Sequence, residues 1–103
     1  MKNKIWGLEY TEEYIDGKIF WKTEIRNPFK ENGNWKIGLG EKFLTIAREK
    51  GVEKFIIKIG QKNILMHVPS EKILKQKVKN QEYEDRPLMF ENDSPMRIFY
   101  FII

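Results

Sequence analysis

The chain opens on strict alternation. Running outward from Asp16-Gly17, Tyr14 faces Ile19, Glu12 faces Trp21, Tyr10 faces Thr23 and Leu8 faces Ile25. Side chains alternate along a strand, so these residues share one side of a hairpin, and Trp6 extends that side. Asp-Gly supplies the turn, because both residues tolerate the positive φ of a type I′ turn. The opposite side carries Glu13, Lys18, Phe20, Lys22, Glu24 and Arg26 and reads as the wetter one. Residues 27–34 hold Pro28, Gly33 and three Asn, which is turn chemistry, so a loop is expected there. Trp35-Lys36-Ile37 reads as a short strand that Gly38 and Gly40 break.

Helical spacing then takes over. Phe43, Leu44, Ile46 and Ala47 form an apolar stripe over residues 41–50, with Glu41 near the start, Arg48-Glu49-Lys50 near the end and Gly51 as the C-terminal cap. A second hairpin follows. Phe55, Ile57 and Ile59 alternate with Lys54, Ile56 and Lys58, and Ile64, Met66 and Val68 alternate with Leu65 and His67. Ser70 is placed to cap a helix over residues 71–79, whose Ile73, Leu74 and Val78 face inward and whose lysines face out. Gln81–Pro87 reads as an acidic connector. Residues 96–103 read as an interior strand, because Ile98 to Ile103 leave no polar side.

The order β-β-(β)-α-β-β-α-β predicts an α+β fold: a twisted, largely antiparallel sheet of about five strands carrying two helices. At 103 residues and 12.4 kDa, with 41% apolar and 33% charged positions, the chain fills one core, so residues 1–103 are read as a single domain. There is no cysteine and one histidine, His67. Thiol nucleophiles, disulfides, thiolate metal sites and histidine-rich metal sites are thereby excluded. No metal or cofactor is expected. Glu9, Glu12 and Glu13 follow the basic first residues at once, so neither a leader nor a membrane anchor is expected, and the protein is assigned to the cytoplasm.

Charge is segregated. Residues 1–34 are neutral overall, residues 35–80 carry +7 and residues 81–103 carry −3, within a total of +4. The middle segment supplies Lys54, Lys58, Lys62, Lys72, Lys75, Lys77 and Lys79. If the second helix lies beside the polar side of the second hairpin, these lysines form a basic patch that attracts a phosphate backbone. Lysine is a point charge rather than a planar fork, which suits backbone positioning better than base reading. Phe29 and Trp35 flank a polar loop and are the candidate stacking residues. The function expected on this basis is non-enzymatic binding of DNA or RNA. The same lysine-rich helix face also fits an ordinary solvated surface.

Two other functions compete. A chain ending in six apolar residues must bury them in its own sheet or in a partner's, so a protein-interaction module, or a homodimer paired through an edge strand, is the alternative. A metal-dependent nuclease is a third. The hairpin register sets Glu9 opposite Glu24, but Glu24-Ile25-Arg26 offers an arginine where a base is wanted, and Lys22 and Arg26 are placed to satisfy both carboxylates. His67 has no nucleophile or acid at a telling spacing, and Gly38-Leu39-Gly40 lacks the remainder of a phosphate loop.

Overall fold

The computed structural model describes residues 2–5, 7–26, 28–86 and 96–103; Trp6 and Pro87 lie outside them. The first hairpin forms as expected. Strands β2 (Leu8–Ile15) and β3 (Lys18–Glu24) pair Glu12 with Trp21 and Tyr14 with Ile19. Their turn holds Asp16 and Gly17 at φ of 52° and 76°, the left-handed region a type I′ turn demands. Strand β1 (Lys2–Ile5) adds antiparallel to the outer side of β2.

The next segment departs from expectation. Residues 29–40 are a second hairpin, strands β4 (Phe29–Glu31) and β5 (Asn34–Gly40). Asn32-Gly33 turns it, with both residues at positive φ. Gly38 and Gly40 do not break this strand. A Cβ at Gly38 would stand 2.8 Å from Ile98 Cγ2 and 3.1 Å from the Tyr100 ring, so glycine admits those side chains across β5. Helix α1 (Glu41–Glu49) follows directly and ends at Lys50, with Gly51 at φ 75° just beyond.

Strands β6 (Val52–Ile59) and β7 (Lys62–His67) form the next hairpin, and helix α2 (Glu71–Lys79) begins where Ser70 Oγ accepts the Ile73 amide at 3.3 Å. The acidic connector is in part a strand, β8 (Tyr83–Arg86), which pairs with β9 (Met96–Ile102). It escaped the pattern because backbone pairing holds it while Tyr83 is its one half-buried side chain.

The class is α+β, and among the described residues there are two helices and nine strands, the strands forming two sheets rather than one. The larger runs β1-β2-β3-β6-β7 and the smaller β4-β5-β9-β8. Pairing is antiparallel except between β3 and β6, which are parallel. A parallel neighbour needs a crossover. Here the chain leaves β3, builds β4, β5 and α1, and returns as β6. Strand β9 is interior, paired on both sides within its own sheet, with Phe99 and Phe101 in the core and Ile102 exposed. The sheet edges are β1, β7, β4 and β8, and the edge available to a twin is not the C-terminal strand.

Both sheets and α1 close on one core. Tyr10, Trp21, Phe55 and Ile57 come from the larger sheet, Ile37, Leu39, Phe99 and Phe101 from the smaller, and Phe43, Leu44 and Ala47 from α1. Tyr10 stacks on Trp21 at 4.0 Å, and Phe43 bridges Trp21 and Phe55 at 5.3 and 5.1 Å. Each large ring buried here contributes about 2–3 kcal/mol. Trp21 is wholly buried, so its indole N–H requires a partner; it donates to Glu12 Oε1 at 3.0 Å. Tyr14 Oη donates to the other carboxylate oxygen at 2.9 Å, and these two bonds hold Glu12 below the usual carboxylate range. Leu74 carries α2 into the same cluster.

Candidate functional site

A cleft of about 930 Å³ joins the outer surfaces of the two sheets. That is near the upper end of small-ligand pockets. Alternation explains its lining. Tyr10, Trp21, Phe55 and Ile57 point to the core, so Glu9, Thr11, Lys22, Glu24 and Lys58 point the other way. The register sets Lys4 opposite Glu9 and Glu24 beside Lys58. Arg26 enters from the connector after β3. The smaller sheet contributes Phe29, Gly38, Ile98, Tyr100 and Arg86.

Five cationic side chains, Lys4, Lys22, Arg26, Lys58 and Arg86, line this cleft against three acidic ones, Glu9, Glu13 and Glu24. Lys22 and Arg26 form no ion pair with Glu24 among the described residues. Among the described residues, the ion pairs join other groups: Lys18–Glu53, Lys36–Glu31, Lys77–Glu82, Arg86–Glu84 and Arg97–Asp85. Lys22, Arg26 and Lys58 therefore face the cleft with their charge uncommitted to a carboxylate.

The wall from the smaller sheet is aromatic and fixed. Phe29 meets Tyr100 edge-on, with ring centroids 6.0 Å apart and planes at 68°. Lys36, tied to Glu31 at 2.7 Å, sets its ammonium 5.8 and 5.4 Å from the two rings. Tyr100 Oη donates to Glu84 Oε2 in a short hydrogen bond and accepts from Arg86 Nη2 at 3.4 Å. Burial, then the Glu84 carboxylate, raises the Tyr100 phenol above its ordinary value, so its proton stays in place at neutral pH. The bond from Tyr100 lowers Glu84.

The lysines singled out from the sequence are distributed over two sides of the larger sheet. Lys54 and Lys58 stand on the outer face, with His67 exposed opposite Lys54. Lys62 pairs with Ile59 and so takes the other parity, at the exposed end of β7. Helix α2 docks from the core side through Leu74, leaving Lys72, Lys75 and Lys79 exposed away from the outer face. Lys77 is not a surface charge. Its Nζ donates to the Tyr100 carbonyl at 2.6 Å, lies 3.7 Å from Glu82 and sits 4.5 Å from the Phe101 ring centroid. Phe29 is 48% exposed in the cleft. Trp35 is half-buried against the core, and Lys30 covers its ring at 4.7 Å.

Only Lys58 and Phe29 of the expected set therefore line the cleft. Lys4, Lys22, Arg26, Arg86 and Tyr100 were not singled out. The signal for two of them was present: Lys22, Glu24 and Arg26 alternate on the wet side of the first hairpin. Among the described residues, no group of three or more histidine or acidic side chains gathers as a metal site. No helix there is long and apolar enough to cross a membrane. No known family model, curated protein or solved structure matches this chain.

Proposed function

We propose that the protein binds nucleic acid through phosphate contacts made in this cleft, as a non-enzymatic cytoplasmic binding domain. One observation carries the reading: Lys22, Arg26 and Lys58, drawn from three separate segments, converge on a concave surface without carboxylate partners among the described residues. Cations left unpaired in a cleft concentrate field there and favour a polyanion. Lys4 and Arg86 also line the cleft. Glu9, Glu13 and Glu24 limit its net charge, so binding is moderate and salt-sensitive.

The test is titration with single- and double-stranded DNA and RNA at about 50 and about 200 mM salt. With four or five phosphate contacts, affinity falls by roughly a hundredfold over that range. Absence of binding to every probe at the lower salt defeats the reading.

A protein-interaction role has one observation in its favour. Leu65 is 60% exposed on the outer face of β7, beside Ile56, which in turn neighbours Lys22. Light scattering that shows a concentration-independent monomer, lost neither by Leu65→Ser nor by salt, counts against self-association through this patch.

A further inference from the structure

We propose that the cleft takes single-stranded nucleic acid in preference to duplex, stacking one nucleobase on the exposed ring of Phe29. This rests on the phosphate-binding reading and adds the form of the strand. Phe29 exposes 48% of its surface from an edge strand, inside a cleft whose lining carries five cations against three carboxylates. A large apolar ring left open beside unpaired Lys and Arg is the pairing that single-strand grooves use, with the backbone on the charges and a base on the ring. Phe29 meets Tyr100 edge-on and Lys36 holds its ammonium near both rings, so the angle between them is taken, and the exposed surface of Phe29 is what remains for a base.

Tyr100 is built as a wall. Its hydroxyl is committed, donating to Glu84 and accepting from Arg86, so it offers a ligand its ring rather than its oxygen. Gly38 lets that ring lie across β5, where a Cβ would stand 3.1 Å from it. A wall fixed before binding loses little freedom when a base arrives. Arg26 and Arg86 also line the cleft, one on the connector and one on the edge strand β8, where they can meet phosphates of the strand carrying that base. A duplex keeps its bases inside the stack, where they cannot reach Phe29. Trp35 does not serve in this way, because it packs against the core and is not among the residues that line the cleft.

Fluorescence anisotropy at low salt tests this with four labelled probes about twelve nucleotides long, a usual site size: oligo-thymidine, oligo-uridine, an abasic strand of equal charge, and a duplex. The two base-bearing strands are expected to bind about tenfold tighter than the abasic strand and the duplex. Phe29→Ala removes most of that advantage, and Phe29→Trp retains it. Equal binding of all four probes, or Phe29→Ala without effect, overturns stacking on Phe29 while the phosphate reading stands. Tighter binding of the duplex overturns it as well. Binding of no probe removes both. Circular dichroism of Phe29→Ala matching the parent excludes misfolding, and rescue by Phe29→Trp does so independently.

Discussion

The molecule carries two populations of cations, and they do different things. Helix α2 is the richer in sequence, with four lysines in nine residues. Three of these, Lys72, Lys75 and Lys79, stand in solvent, while Lys77 spends its charge on the Tyr100 carbonyl and Glu82. The cleft draws its cations singly, from β1, β3, the connector after it, β6 and β8, yet there they meet on one concave surface. Density of charge along a chain is therefore a poor guide to convergence of charge in space. A convex helix separates neighbouring lysines, whereas a twisted sheet brings distant ones together.

The largest expected effect separates the two populations directly. Lys22→Ala, Arg26→Ala and Lys58→Ala combined should weaken single-strand binding by on the order of a hundredfold and lower the slope of log K against log salt by about two. Lys72→Ala, Lys75→Ala and Lys79→Ala combined should stay within about threefold of the parent. Equal losses from the two triples would erase the distinction.

A second comparison lies within α2. Lys77→Met removes a charge-assisted hydrogen bond and strands the Tyr100 carbonyl, so chemical unfolding should show a loss of about 1.5–3 kcal/mol. Lys75→Met, at an exposed position, should cost less than about 0.5 kcal/mol. If both variants unfold at the same denaturant concentration, Lys77 is not the internal strut described above.

The smallest effect concerns Glu12, at the rim of the core rather than in the cleft. Its carboxyl lies below its ordinary value of 4.5 in the folded protein, chiefly through the Trp21 bond and then the Tyr14 bond. A depressed folded pKa stabilises the protein above the unfolded value, and that contribution is lost as pH falls through the folded value. Thermal unfolding between about pH 6 and pH 3 should therefore show a fall below about pH 4.5 that Glu12→Gln flattens. An unchanged pH profile in Glu12→Gln would assign the acid sensitivity elsewhere, Glu84 being lowered in the same direction by Tyr100.

Much of the local structure was legible before any coordinates. Asp16-Gly17 specified the first turn, and alternation around it specified which residues pair. Ser70 specified the start of α2, and Gly51 the end of α1. The unbroken run Ile98–Ile103 specified an interior strand. The Asn32-Gly33 turn was also legible, since Asn-Gly is a strong hairpin signal, but Pro28 and the surrounding asparagines made the segment look like loop. The candidate site was far less readable. Phe29 and Lys58 could be singled out, but their company could not, because Arg86 and Tyr100 reach the cleft through pairings made late in the chain.

What the sequence determined by itself are features whose physics is local: the φ a turn residue tolerates, the amide a serine can cap, the side of a strand each residue faces. Tertiary structure alone decided that the strands divide into two sheets, that β6 returns parallel to β3, and that Lys58 and Arg26 share a wall with Tyr100. These rest on contacts between residues far apart in the chain. Such contacts form because apolar faces must find one another to leave water, and no short window of residues records which face meets which.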